Sequence, residues 1–176
     1  MPKTALIVVD MLNAYEHPDA EKLTQSVENV LPTIGELIDD SDLTVYVNDN
    51  FGDWNSSVDE LLEAGLEGER PDLVEPLKPP GDASFVIKAR HTIFYGTPLE
   101  HLLYTEEIDR IVLAGQVTEQ CILYSALDAY VRHLGVTVPP DGVAHIYEDL
   151  ADAALTMMER NMRAKLVPSG KCRLEA

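Results

Sequence analysis

At 176 residues with 45% hydrophobic side chains, the chain suits one domain, which at this size buries roughly 70% of its unfolded surface and needs no disulfide staples. Thirteen Lys and Arg against 31 Asp and Glu give a net charge of −18, which disfavours nucleic acid and anionic membranes as partners and repels anionic substrates at long range unless Lys88 and Arg90 offset it. No apolar run approaches the ~20 residues of a membrane span, no cleavable signal precedes the first strand, and Cys121 and Cys172 form no Cys-x-x-Cys pair, so a cytoplasmic protein without redox dithiol, zinc knuckle or disulfide is expected.

Thr4–Asp10 is a continuous apolar run closed by a carboxylate, the pattern of a central parallel strand buried on both faces. A helix is predicted over Glu21–Asp40, with Val27, Val30, Leu31, Ile34, Leu37 and Ile38 as its apolar stripe. Pro32 predicts a kink or break near Leu31. Thr44–Val47 reads as the second strand and Val58–Ala64 as a short helix. Gly65–Asp82, rich in Gly and Pro, reads as irregular, either a lid or a packed surface connection. Ser84–Lys88 is another apolar run, closed by an ammonium. Pro98–Tyr104 reads as a short helix, Ile111–Ala114 as a buried strand, Val136–Val138 as a fifth strand and Val143–Ile146 as a short sixth. The last helix is predicted over Asp149–Leu166, with Leu150, Ala153, Ala154, Met157, Met158 and Met162 mostly facing the core. Strands alternating with helices predict an α/β fold on a doubly wound, mostly parallel sheet of five or six strands, in a single domain over residues 1–176.

The stretch from Arg110 to Cys121 carries the most chemistry. Gly115 suits a sharp turn after the strand. A helix-period pattern follows at Leu123, Leu127, Tyr130, Val131 and Leu134, stopped by Gly135. With Thr118 as N-cap, Cys121 falls in the first turn, where N–H groups lack partners and the helix dipole favours negative charge. A thiol there has a reason to be a thiolate, the nucleophilic form. The plainer alternative is a small buried core residue.

Parallel crossovers put all C-terminal strand ends on one edge, where ligands bind in open α/β sheets. Asp10, Lys88 and Cys121 are therefore expected to converge. Asp10 can take the thiol proton and return it to a leaving group, then serve as base for water. Lys88 can hold Asp10 ionised and favour the thiolate. Cys121 can attack an electrophilic carbon and form a thioester-like intermediate. The N–H groups of Val117 and Cys121 can hold the oxyanion. Singly, Asp10 can be a helix cap and Lys88 the point where a strand meets solvent; three strand ends in one domain favour the joint reading.

These residues resemble a known family. Asp10 in VVDMLNAY, Lys88 in VIKARHTIFYGTPL and Cys121 in LAGQVTEQCILYSALDAYVRHLG look like the three signatures of the isochorismatase-like cysteine hydrolases, among them nicotinamidases and N-carbamoylsarcosine amidohydrolase. The resemblance runs from about Leu6 to Leu166. It implies an Asp-Lys-Cys triad on a three-layer α/β/α fold, a non-proline cis peptide at Gln116–Val117, and a homodimer or homotetramer. Nicotinamidases of this family carry a metal between an Asp and a His two residues apart, with further His nearby. Here that region reads Asn48-Asp49-Asn50-Phe51-Gly52-Asp53-Trp54-Asn55, and no His lies between His17 and His91. No metal and no cofactor are therefore expected. Leu12 and Ala14 depart from the usual first signature, Asp-Met-Gln-Asn-Asp. True isochorismatases lack the cysteine, so Cys121 points to C–N bond hydrolysis.

Tyr15, Phe51, Trp54, Phe94 and Tyr95 follow strands whose ends converge on the site, and either line a pocket for a flat or apolar acyl group or pack in the core. Asn50 and Arg90 are weaker candidates for polar contacts; His91 contacts substrate or is a solvent or core histidine. The expected function is metal-independent hydrolysis of a small amide or carbamoyl-type bond. The rivals are a non-catalytic binding or assembly module, an isochorismatase-type hydrolase acting on another small molecule, and a peroxide-sensing thiol, against which the absence of a nearby resolving cysteine counts. No G-x-G-x-x-G follows the first strand, which disfavours a dinucleotide enzyme.

Overall fold

The structure, a computed structural model, describes residues 3–174. Apolar runs of β-branched residues build the centre of the sheet: β1 (Lys3–Val9), β2 (Thr44–Asp49), β3 (Ser84–Lys88) and β4 (Ile108–Gln116). β5 (Gly135–Val138), β6 (Val143–Ala144) and β7 (Lys165–Leu166) extend it. The order is β3-β2-β1-β4-β5-β7, with β6 also on β4, and every pairing is parallel. The sheet thus has seven strands rather than the five or six expected. The added strand lies where the last helix was expected to continue. That helix stops at Met162 because Arg163 turns left-handed (φ 56°), and Lys165 then pairs with Thr137.

Alternation along β1 divides the core. Ala5, Ile7 and Val9 face one layer with α4 (Leu99–Thr105), α5 (Leu123–Val131) and α6 (Glu148–Met162). Leu6 and Val8 face the other with α1 (Ala20–Asp39), α2 (Val58–Glu67) and α3 (Pro71–Val74). The architecture is three-layered, α/β/α. Helix α1 runs through Pro32 without the expected break. Val27, Val30, Ile34 and Leu37 are buried against the sheet, and burying each such side chain is worth about 1.5–3 kcal/mol, enough to offset one lost helical hydrogen bond.

The segment read as irregular is largely ordered. α2 extends to Glu67, α3 follows, and Leu73, Val74 and Leu77 are buried in the α1-side core. A Cβ on Gly68 would lie 2.4 Å from the Ala14 carbonyl oxygen, so this segment presses against the loop after β1. It is a packed connection.

Helix α5 is the other departure. Its buried face is Ser125, Ala126 and Ala129, small residues that bring it close to the sheet. Of the large apolar residues that set the periodicity, Leu123 and Leu134 are half-buried against the core, but the others point outward: Leu127 is 46% exposed and Val131 56%, beside exposed Tyr124 and Tyr130. On α6, Leu150 and Met157 are likewise exposed, against the expectation that they face the core. Among the described residues no helix is long and apolar enough to cross a membrane.

Candidate active site

The strand order reverses between β1 and β4, so the crevice beyond their C-terminal ends is the switch point at which open α/β sheets bind ligands. Gly115 lets β4 approach β1 closely at this point. It pairs with Val9 at φ +115°, and a Cβ there would lie 2.2 Å from the Val9 carbonyl oxygen. Only glycine permits both the conformation and the approach. One residue further on, the Gln116–Val117 peptide bond is cis.

The residues that follow open as a π-turn over Thr118–Ile122 before α5 begins. Ile122 N–H donates to Val117 O at 3.1 Å, five residues back. Thr118 is not the N-cap expected from the sequence. Its buried hydroxyl donates to Ala144 O at 2.9 Å and ties the turn to β6, while Val117 holds the cap position without a side-chain bond. Glu119 Oε1 accepts from the main-chain N–H groups of Ile146 and Tyr147 at 3.0 and 2.8 Å, joining the turn to the start of α6.

Three strand ends meet over this turn. Asp10 leaves β1 in the left-handed region (φ 57°), a conformation that Asp tolerates better than most side chains. Its Oδ2 lies 2.9 Å from Lys88 Nζ, and its Oδ1 accepts the Asp49 N–H at 2.8 Å. Lys88 ends β3 with its side chain wholly buried. Its Nζ also lies 3.3 Å from Asp49 Oδ2 and 3.6 Å from Cys121 Sγ. His91 Nδ1 also lies 3.6 Å from the sulfur, and the His91 ring is tilted against Tyr124 with centroids 5.4 Å apart. Gln116 Nε2 donates to the Asp10 carbonyl and Gln116 Oε1 accepts from the Tyr15 hydroxyl at 3.4 Å, so the end of β4 braces the end of β1.

Burial dominates the electrostatics. It pushes the Asp10 carboxyl above its ordinary value, against the pull of Lys88. It also works against charge on Lys88, but Asp10 and then Cys121 and Asp49 outweigh it, so the ammonium is held above its usual range. Burial, and next the Asp10 charge, push the Cys121 thiol up, with Lys88 pulling the other way. Burial and the Asp10 charge thus favour the protonated sulfur over the thiolate that a position in an α-helical first turn suggested.

Of the other residues read from the sequence, Tyr15 and Phe94 are core residues rather than pocket walls. Tyr15 is buried in the α1-side core, and Phe94 is buried in the opposite one beneath the Arg132 guanidinium, 4.7 Å from its ring centroid. The Asn50 side chain is also buried and accepts the Gly52 N–H at 2.9 Å within its own turn. Phe51, Trp54 and Tyr95 are exposed, Trp54 at 81%. Phe51 borders a cavity of about 170 Å³ with Leu12, His17 and Leu61. Arg90 is exposed and bonds the neighbouring Ala89 carbonyl. The reading from sequence missed Asp49 and Gln116 and gave His91 little weight, although Asp49 ends its strand with a carboxylate as Asp10 does.

A nicotinamidase-type metal does not fit these residues. No imidazole occurs between Asn48 and Asn55, and the Asp49 carboxylate is committed to Lys88 and, through Oδ1, to the Phe51 N–H at 2.7 Å. Among the described residues no group of three or more His, Cys, Asp or Glu is arranged to hold a metal ion.

A parallel sheet with this crevice, floored by a buried Asp-Lys-Cys cluster, defines an α/β protein of the cysteine hydrolase class. The isochorismatase domain matches residues 4–168, and the chain belongs to the isochorismatase family. It is 30% identical over 166 residues to the uncharacterised isochorismatase family protein YaaI of Bacillus subtilis, covering 92% of each chain. It is 24% identical to the maleamate amidohydrolase of Pseudomonas putida, over 87% of this chain and 78% of that one. Among solved structures, the N-carbamoylsarcosine amidase of Thermoplasma acidophilum superposes with a TM-score of 0.72 at 26% identity, covering 97% of this chain and 99% of that one.

Proposed function

We propose that the protein is a metal-independent amidohydrolase that cleaves a small amide or carbamoyl-type C–N bond through a thioester on Cys121. The observation that carries this reading is the Asp10–Lys88–Cys121 cluster, in which a buried thiol has a carboxylate to take its proton and a cation beside it. Asp10 accepts the thiol proton as sulfur attacks the carbonyl carbon. Lys88 compensates the single negative charge as it passes from the carboxylate to sulfur. The N–H groups of Val117 and Cys121 hold the oxyanion. The C–N bond breaks as Asp10 returns that proton to the leaving nitrogen, the amine departs, and water hydrolyses the thioester to the acid and the restored thiol. The similarity to amidohydrolases supports the bond class and leaves the acyl group to experiment. The partners proposed are a small-molecule substrate and further copies of this chain.

A panel of small amides and carbamoyl compounds, assayed for released ammonia or amine, tests this reading. Wild type is expected to turn over at least one member and Cys121→Ala none. Full activity in Cys121→Ala on the best substrate sinks the proposal, and ligand binding without turnover hands the site to the binding-module alternative.

A further inference from the structure

Thirteen Lys and Arg stand against 31 Asp and Glu in this chain, yet five of the thirteen line one cavity: Arg110, Arg163, Lys165, Lys171 and Arg173. The cavity lies among the N-terminal ends of β1, β4, β5 and β7. The Asp10, Lys88 and Cys121 cluster is at the opposite edge of the sheet; from Thr4, which lines the cavity, to Asp10 the first strand rises about 20 Å. Among the described residues none of the five cations makes an ion pair, whereas Lys3, Arg70, Lys88 and Arg132 all do. Like charges gathered without partners repel one another, and a bound anion relieves that repulsion.

The walls are held in place. Arg110 and Gly135 are neighbours in register, and a Cβ on Gly135 would lie 2.9 Å from Arg110 Cγ, so the bare glycine lets the Arg110 side chain lie across the start of β5. The segment that carries Lys171 and Arg173 is tied on both sides. Before it, Asp141 accepts the Ser169 N–H at 3.0 Å and the Ser169 hydroxyl at 2.7 Å. After it, the carbonyl of Leu174 accepts the Asp42 N–H at 3.3 Å, and the Leu174 side chain is buried in the α1-side core.

We infer that this cavity is a binding site for a compact small molecule carrying several phosphoryl groups. Guanidinium groups offer paired donors to phosphate oxygens, and lysines add point charges. The volume of about 550 Å³ suits such a ligand, since small-molecule sites run from roughly 300 to 1,000 Å³. No aromatic ring stands among the described lining residues, so a nucleobase finds no platform to stack on, which favours a compact polyphosphate over a nucleic-acid strand. The net charge of −18 repels anions at long range, so the ligand is held by these local cations and its binding weakens with added salt.

The experiment is calorimetric titration of the full chain with inorganic tripolyphosphate and, separately, with fructose 1,6-bisphosphate at fixed ionic strength. One ligand per chain is expected, with a rise in melting temperature at saturation. The tighter of the two probes assigns the phosphoryl groups to an inorganic chain or to a phosphorylated organic molecule. The double variant Arg110→Gln, Arg173→Gln is expected to bind at least about tenfold more weakly. Lys171→Gln, whose side chain is exposed and outside every strand, is expected to weaken binding without touching the sheet. The double variant Lys78→Gln, Arg160→Gln removes the same charge from exposed positions outside the cavity and is expected to bind as wild type does. No saturable binding of either probe at millimolar concentration, or an equal loss in both double variants, overturns the site. A single-stranded RNA that displaces tripolyphosphate and binds more tightly overturns the small-molecule assignment.

Discussion

The main-chain N–H of Asp49 donates to the carboxylate of Asp10 at 2.8 Å, so the end of β2 fixes the side chain that ends β1. The Asp49 carboxylate closes the loop by returning to Lys88. The cluster is thus held from three strands at once, and its charges answer one another.

Activity is expected to fall on acidification with an inflection above 3.8, the ordinary aspartate value, because burial raises the Asp10 carboxyl and only its ionised form accepts the thiol proton. The pH profile of kcat/KM reads this group in the free enzyme. Asp10→Asn is expected to lose at least about 100-fold at every pH. Stability carries the same signature. A carboxyl raised on folding contributes most below its unfolded value and loses that contribution as pH rises through its folded one. Wild type should therefore lose stability relative to Asp10→Asn as pH is raised through that window, and denaturant unfolding at stepped pH reads the difference. A gap of the opposite slope contradicts the burial argument.

Lys88→Met leaves Asp10 and Asp49 together without their cation. Removing one partner of a buried ion pair costs about 3–5 kcal/mol, and urea unfolding should show a loss of this size. The double variant Lys88→Met, Asp10→Asn should recover part of it, because the two groups are coupled. Strict additivity would mean that the pair does not interact.

Gly115→Ala places a methyl group 2.2 Å from the Val9 carbonyl oxygen at a φ of +115°. The two central strands must separate or the turn must unwind. A loss of about 3 kcal/mol or more is expected from strain of this kind, with activity falling alongside it. An unchanged melting temperature would show that the β1–β4 approach is not tight in solution.

The outward apolar face of α5 predicts self-association, since exposed apolar patches of this kind mark interaction sites. The chain is expected to scatter light as a dimer or tetramer at micromolar concentration. Leu127→Asp is expected to shift it toward monomer. A wild type that stays monomeric at high concentration rejects the proposal.

Asp10, Lys88 and Cys121 were legible because parallel strands put their ends on one edge, whichever loops intervene. The same rule applied to Thr44–Asp49 would have found Asp49. The orientation of α5 was not legible. A helical period locates an apolar stripe but not what the stripe faces, and here Ala126 and Ala129 take the inside because the helix sits close to the sheet. The π-turn was hidden for a related reason: Thr118 is a good cap in isolation, and only its distant partner Ala144 draws it out of that role. The two-residue strand β7 carries too few side chains for any alternation to register, whereas β6 falls inside the short strand expected at Val143–Ile146.

Phe51, Trp54 and Tyr95 stand in solvent on loops, whereas Asp10, Lys88 and Cys121 are locked into strands and a turn that tolerate little change. The chain therefore separates what can vary from what cannot. Randomising the exposed aromatics is expected to carry little thermodynamic risk, while a change in the buried cluster disturbs several strand ends at once.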